Sequence, residues 1–249
     1  MPLPLALAHR RYIQQAGWTE PLRRHIFSRA GLPNALRVLE IGSGTGAVLR
    51  TINHGSGSDI FGIDIDSDAL QIARRESKSS IFATGEAHWL PFLDAAFDIS
   101  FFHFVLLWLA DPVNALTEAR RVTRPGGAVI AFAEPDYSQR IATDTTWAKL
   151  AELQAESLRA QGADPNLGGM LADLFTTASI QPIEFGQLQF DKTLLDDDAL
   201  DLELEVLKSD LASLLPAAEI DKSLADIRET NADIVTFRVP TYYCWGRVE

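Results

Sequence analysis

Short apolar runs recur along the first half of the chain at a spacing that leaves room for little except alternating strands and helices. They are Val38-Leu39-Glu40-Ile41, Ile60-Phe61-Gly62-Ile63, Ile81-Phe82-Ala83, Phe97-Asp98-Ile99-Ser100-Phe101-Phe102 and Ala128-Val129-Ile130-Ala131-Phe132. Each is too short for a buried helix, and turn residues bound them, which marks strands. Ala47-Val48-Leu49 reads as the opening of a helix after the first run, and Ser67 as the N-cap of another after the second. Such alternation builds βαβ units: a parallel sheet covered by helices on both faces, with right-handed connections. The expected class is therefore α/β and doubly wound.

Around this core (residues 36–136) the pattern predicts an N-terminal helical cover, 1–35, and a second half, 137–249. In the cover, residues 10–30 read as two helical pieces, with Thr19 as an N-cap and Pro21 in the first turn of the second. In the second half, helices are expected around Trp147–Leu158 and from Leu167 to Ala178, and a strand from Ile183 to Phe190. A helical insertion of about 196–230 opens at Asp196-Asp197-Asp198 and carries the stripe Leu200, Leu204, Leu207, Leu211 and Leu214, read most simply as packing on its own domain, with a lid or a dimer surface as the alternatives. Val235–Val248 closes the chain as a hairpin or final strand. With 249 residues, 47% hydrophobic and 22% charged, one elaborated domain (1–249) fits and disorder does not.

The net charge of −12 repels phosphate backbones and anionic lipid, so no nucleic acid and no membrane partner is expected. The dense basic runs are only His9-Arg10-Arg11 and Arg23-Arg24-His25. The apolar run Phe101–Ala110 is about half of the ~20 residues a spanning helix needs. Met1-Pro2-Leu3-Pro4-Leu5 lacks the basic flank of a signal peptide. The lone Cys244 fits a reducing, cytoplasmic setting.

Gly42-Ser43-Gly44-Thr45-Gly46 follows the first run directly. Glycines there permit positive φ and a close ligand approach, at the switch point where doubly wound sheets hold nucleotides. Asp64, about 20 residues on, ends the second run, where a carboxylate can accept from both ribose hydroxyls. Read as Gly42, Gly44 and Ala47, the loop also fits the dinucleotide fingerprint. Glu40 disfavours a pyrophosphate beside it and suits the positive part of an amino acid. Glu86, in Gly85-Glu86-Ala87 after the third run, can accept from an adenine amino group.

The stretches Val38–Gly46, Gly62-Ile63-Asp64-Ile65, Gly85-Glu86-Ala87-His88-Trp89-Leu90-Pro91-Phe92, Phe97-Asp98 and Arg124-Pro125-Gly126-Gly127 fall in order. Together they resemble the class I S-adenosylmethionine-dependent methyltransferases, in the small-molecule branch that includes the ubiquinone/menaquinone-biosynthesis type. The resemblance implies a seven-stranded, mostly parallel, Rossmann-like sheet whose last strand is antiparallel, with Val235–Val248 as that strand. It implies S-adenosyl-L-methionine as cofactor, its methionine part cradled by Glu40, Gly42, Ser43, Gly44 and Gly46. Asp64 would meet the ribose, Ile65 the adenine face, and Glu86 and Ala87 the adenine edge. Phe102 or His103 would lie near the sulfonium. Tyr12 and Trp18 sit on the segment that folds over the cofactor in such proteins, Tyr12 reaching its carboxylate. Glu86 stands where aspartate is commoner, and His88-Trp89 replaces a more polar pair.

A sulfonium methyl is already activated, so the protein chiefly supplies proximity and alignment. A base helps only when the acceptor is a hydroxyl or a protonated amine. His103 is the candidate base, with a histidine merely packed on the cofactor as the other reading. Glu134, Asp136 and Tyr137 follow the fifth run and either bind the acceptor or form a solvated turn at Pro135. Nothing fixes His103, Glu134 and Asp136 at ligating distances, so no metal is expected. Trp108, Trp147, Tyr242 and Trp245 are expected in the core, with contact to the substrate as the other reading. The sequence thus points to a methyltransferase for a small-molecule acceptor at oxygen, nitrogen or carbon, as monomer or homodimer. The alternatives are a nicotinamide-dependent oxidoreductase and a non-catalytic module that holds S-adenosylmethionine or S-adenosylhomocysteine.

Overall fold

The computed structural model describes residues 3–52, 58–142, 145–188, 197–230 and 237–249. The five expected runs form β1 (Arg37–Ile41), β2 (Asp59–Asp64), β3 (Ser80–Thr84), β4 (Phe97–His103) and β5 (Thr123–Pro135). They lie parallel in the order β3-β2-β1-β4-β5, so the winding reverses between β1 and β4. Further along come β6 (Ile141–Ala142), β7 (Gln181–Gln187), β8 (Phe237–Arg238) and β9 (Thr241–Arg247). β9 inserts antiparallel between β5 and β7 and completes a seven-stranded sheet, while β6 and β8 make a small antiparallel ribbon. The last strand is thus the antiparallel one, and the fold is Rossmann-like.

The helices are α1 (Leu5–Ala30), α2 (Ser67–Glu76), α3 (Pro112–Val122), α4 (Thr145–Ala160), α5 (Leu171–Thr177), α6 (Asp197–Leu211) and α7 (Ala217–Thr230). Ile26, Phe27 and Ala30 of α1 cover one face of the sheet over Val38, Ile99, Phe101 and Phe132. Phe27 meets Phe101 and Phe132 edge to face at 5.2 and 5.3 Å between centroids. Leu116 and Ala119 of α3 and Leu171 and Phe175 of α5 cover the other face over Leu39, Ile41, Phe102 and Val129. Burial on both faces explains the uninterrupted apolar run of β5. Leu204, Leu207 and Leu211 of α6 pack against Leu150 of α4 and Ile220, Leu224 and Ile227 of α7. The stripe therefore packs within its own chain. Among the described residues, no helix is long and apolar enough to cross a membrane.

Several boundaries differ from the sequence expectation. α1 is one continuous helix in which Thr19 is buried and Pro21 lies inside. Gly17 and Pro21 both sit on its exposed face, where water can satisfy the carbonyl that proline leaves without a donor. Ala47-Val48-Leu49 opens no α-helix; a single 3-10 turn, Leu49–Thr51, follows the loop. Asp66, not Ser67, caps α2, its carboxylate accepting from Asp68 (2.8 Å) and Ala69 (3.1 Å). The segment from Leu167 begins as a 3-10 turn and becomes helical only at Leu171. The expected cap at Asp196, the end of the strand expected to reach Phe190, and the start of the closing segment at Val235 lie outside the described residues.

Candidate active site

The C-terminal ends of β1, β2 and β4 open on a cavity of about 1410 Å³, roofed by α1 and α6. One end is built by the glycine loop. Gly42 has φ +75°, and a Cβ there would meet Val105 at 2.5 Å, so only glycine lets the chain turn so close to the end of β4. The loop is internally satisfied. Gly42 and Ser43 donate to the Ile63 carbonyl at 2.8 and 3.0 Å, and Gly46 to Ser43 at 2.8 Å. Gly44 donates to Asp64 Oδ2 at 2.6 Å. Those N–H groups are therefore spent, and the α-helix whose N-terminus would hold a pyrophosphate is replaced by a 3-10 turn.

Glu40 ends β1 with 2% of its surface exposed, and its Oε2 has no hydrogen-bond partner among the described residues. Burial pushes its carboxyl well above the usual range; the Arg23 charge opposes that and the Asp64 charge adds to it. A buried carboxylate oxygen left unpaired at a cavity wall calls for a cationic donor. Asp64 lines the cavity beside it, its Oδ1 accepting from the Asp66 N–H at 2.8 Å. Burial raises its pKa, and the Asp66 and Gly44 hydrogen bonds pull it back. Ile65 is 72% exposed at the rim, with Glu86 and Ala87 across from it. Glu86 Oε1 lies 2.7 Å from His88 Nδ1. The other buried orphan of the loop is the Ser43 hydroxyl.

His103 lines the cavity at the end of β4, its Nε2 2.8 Å from the Thr19 hydroxyl of α1. Burial first, and then the Arg23 charge, hold its pKa well below the usual histidine value, so the ring is neutral. Arg23, 3% exposed, donates to Thr19, to the Ala16 carbonyl (2.6 Å) and to Thr51 (3.2 Å). α1 reaches the loop again through His9, whose Nδ1 lies 2.9 Å from the Thr45 hydroxyl, and through Tyr12, whose ring packs beside Gly44.

The structure thus gathers Tyr12, Trp18, Glu40, Gly42, Ser43, Gly44, Asp64, Ile65, Glu86, Ala87, His103 and Tyr137 around one cavity. Gly46, Phe102, Glu134 and Asp136 do not line it. Phe102 is fully buried among Leu39 and Ile41 on the opposite face of β4, because neighbouring strand residues alternate. Glu134 is fully buried and accepts from three successive N–H groups, Val105 and Leu106 at 3.0 Å and Leu107 at 3.1 Å. It braces the turn that carries Leu107 and Trp108 to the cavity. Asp136 caps a turn, accepting from Ser138 N at 3.0 Å and the Gln139 side chain at 2.6 Å. Trp108 and Trp147, expected in the core, line the cavity instead, whereas Trp245 is core.

The sequence reading missed the far end of the cavity, where Gln154, Glu203, Asp210 and Arg238 join Arg11. One signal was present in the sequence. Glu203, Leu207 and Asp210 fall at i, i+4 and i+7 of α6, which places two acids beside its apolar stripe.

Fold and site together define an α/β protein with a large cavity at the switch point of its sheet. Residues 39–131 match the methyltransferase domain family. A malonyl-[acyl-carrier protein] O-methyltransferase of Erwinia pyrifoliae is 35% identical over 123 residues, 49% of this chain and 47% of that protein. A demethylmenaquinone methyltransferase of Renibacterium salmoninarum is 29% identical over 175 residues, 64% of this chain and 73% of that one. The chain thus spans about half the length of the first relative and about three-quarters of the second. Among solved structures, an S-adenosylmethionine-dependent methyltransferase of Thermotoga maritima superposes with a TM-score of 0.57 at 18% identity, over 97% of this chain and 95% of that one. The [4+2]-cyclase SpnF superposes equally well, with a TM-score of 0.57 at 19% identity over 91% and 80%. The fold alone does not fix the reaction.

Proposed function

We propose that the chain is an S-adenosylmethionine-dependent methyltransferase acting on a small organic acceptor at oxygen, nitrogen or carbon. The observation that carries this reading is the unpaired, buried Glu40 carboxylate oxygen beside the glycine loop, in a cavity that continues past His103. That oxygen fits the ammonium of a methionyl group. Asp64, with acceptor capacity left on both oxygens, fits two ribose hydroxyls, and Ile65, Glu86 and Ala87 would bound the adenine. Tyr12, Trp18 and α1 would cover the methionyl end. When bound, the cofactor supplies an activated methyl group.

The chain's own residues then align the acceptor, exclude water and manage one proton. His103, neutral and fixed by Thr19, is the group we assign to accept a proton from a hydroxyl or amine acceptor. A single ligand site usually occupies about 300–1,000 Å³. The cavity here exceeds that, which supports cofactor and acceptor side by side rather than a module holding cofactor alone. The lone thiol, Cys244, suits a cytoplasmic setting.

Calorimetry with S-adenosylmethionine, S-adenosylhomocysteine and NAD tests the reading. The first two are expected to bind and NAD is not. Asp64→Ala should weaken the adenosyl ligands by about 1–3 kcal/mol, the loss of charge-assisted hydrogen bonds. Unchanged affinity in that variant removes the ribose assignment, and tight NAD binding removes the methyltransferase.

A further inference from the structure

The end of the cavity away from the glycine loop has a chemistry of its own. Trp18, Trp108, Tyr137 and Trp147 give it aromatic walls. Among the described residues, six carboxylates line the whole cavity (Glu40, Asp64, Asp66, Glu86, Glu203 and Asp210), against two arginines, Arg11 and Arg238, and no lysine. S-adenosylmethionine brings one net positive charge, which leaves the lined space negative.

The arginine deepest in this end is already engaged. Arg11 is ion-paired with Glu203, donates to Gln14 Oε1 at 2.7 Å, and lies over the Trp18 ring at 4.7 Å. Arg238 sits half-buried on β8. An anionic acceptor would have to displace Glu203 from Arg11 or turn to Arg238 alone, with six carboxylates around it.

Asp210 is placed differently. It is 7% exposed, faces the cavity from α6, and its Oδ2 accepts from the Gln154 amide at 2.8 Å. No ion pair involves it among the described residues, and burial raises its pKa although the Gln154 hydrogen bond and the nearby Arg11 charge pull it back. A buried carboxylate that opens on a cavity, with an amide as its side-chain donor, gains most from a cation. Indole faces around it attract the same charge.

Building on the methyltransferase reading, we propose that the acceptor is a basic amine on an apolar or aromatic body. Its ammonium faces Asp210, and its body packs among Trp18, Trp108 and Trp147. The field of the acids concentrates such a cation in the cavity and turns carboxylates away.

Three probes that share a phenylethyl body test this: 2-phenylethylamine, 2-phenylethanol and 3-phenylpropionate. Each is titrated into the full chain saturated with S-adenosylhomocysteine, with the tryptophan emission of the cavity as readout. The amine is expected to bind at least about tenfold more tightly than the carboxylate, with the alcohol between them. Asp210→Asn, which keeps an acceptor for Gln154, should bring the amine down to the alcohol, and Asp210→Glu should restore it. S-adenosylhomocysteine affinity, measured on the same samples, should be unchanged and reports that the variants are folded. The proposal is overturned if the carboxylate or alcohol binds as tightly as the amine. Absence of saturable amine binding, or an amine preference that survives Asp210→Asn, overturns it as well. Failure of S-adenosylhomocysteine to bind the native chain would instead sink the methyltransferase reading.

Discussion

Glu134 carries a buried carboxylate answered only by peptide N–H groups, and that has a measurable consequence. Burial raises its pKa from the ordinary 4.5 to about 7, against the pull of Leu106, Leu107 and Val105. Between those values the folded protein holds a proton that the unfolded chain has released. Its contribution to stability therefore falls as pH rises from 4.5 through about 7, by about 3 kcal/mol in all. His103 has the opposite sign: below its ordinary 6.5 the unfolded chain takes a proton that the folded ring refuses, so stability falls as pH drops. Comparing Glu134→Gln with the native protein isolates the first effect. The amide leaves the Leu107 N–H facing an NH₂, a cost of about 1–3 kcal/mol at pH 4.5. That deficit should shrink as the pH is raised to 8, read from urea midpoints; a deficit that stays constant rejects the buried-charge account. Glu134 was legible as a polar residue after the fifth apolar run but not as a brace, because its three donors lie 27 to 29 residues away in sequence. Phe102 and His103 were legible as the end of β4, but which of them faced the cavity depended on strand phase.

At the scale of elements, α1 is the piece whose role exceeds what its sequence shows. Its apolar residues predict a helix on the sheet, and Ile26, Phe27 and Ala30 deliver that. Its other contacts are polar and point to the site: Thr19 to His103, His9 to Thr45, Arg11 to Glu203. Leu7 meets Leu202 and Val206, so cover helix and insertion form one roof. No local pattern announces such pairs, since each joins residues far apart in the chain. Pro21 and Gly17 even argued for a break, because a local signal cannot report that both face water. Thr19→Val keeps the shape of the side chain and removes its hydroxyl from His103 and Arg23. It should cost about 1 kcal/mol in urea unfolding, somewhat more for the charged donor, and Thr19→Ser should recover most of it. Hydrogen exchange in the middle of α1 should rise in the valine variant and not in the serine one. Equal protection in all three would mean that the apolar face alone holds the helix down.

For the whole molecule, the doubly wound class was readable because five short apolar runs with turn residues at their ends admit few architectures. The roof was less readable, because α4, α6 and α7 bury one another through generic leucine and isoleucine stripes. The acids of α6 and Trp147 of α4 reach the cavity only once the stripes are docked. Ligand binding to this assembly should appear as global stability, since the unfolded chain offers no site. At S-adenosylhomocysteine concentrations about 100 times its Kd, the gain is about 2.7 kcal/mol. For a chain of this size that raises the unfolding temperature by about 5–10 °C. NAD at the same concentration should leave the temperature unchanged, because the loop N–H groups that would hold its pyrophosphate already serve Ile63, Asp64 and Ser43. In Glu40→Gln the adenosyl ligand should give a smaller shift, since a neutral amide replaces the carboxylate that meets its ammonium. The unliganded variant should melt no lower than the native protein, because it no longer buries an unpaired carboxyl. A variant whose ligand-induced shift equals that of the native protein would mean that Glu40 plays no part in holding the cofactor.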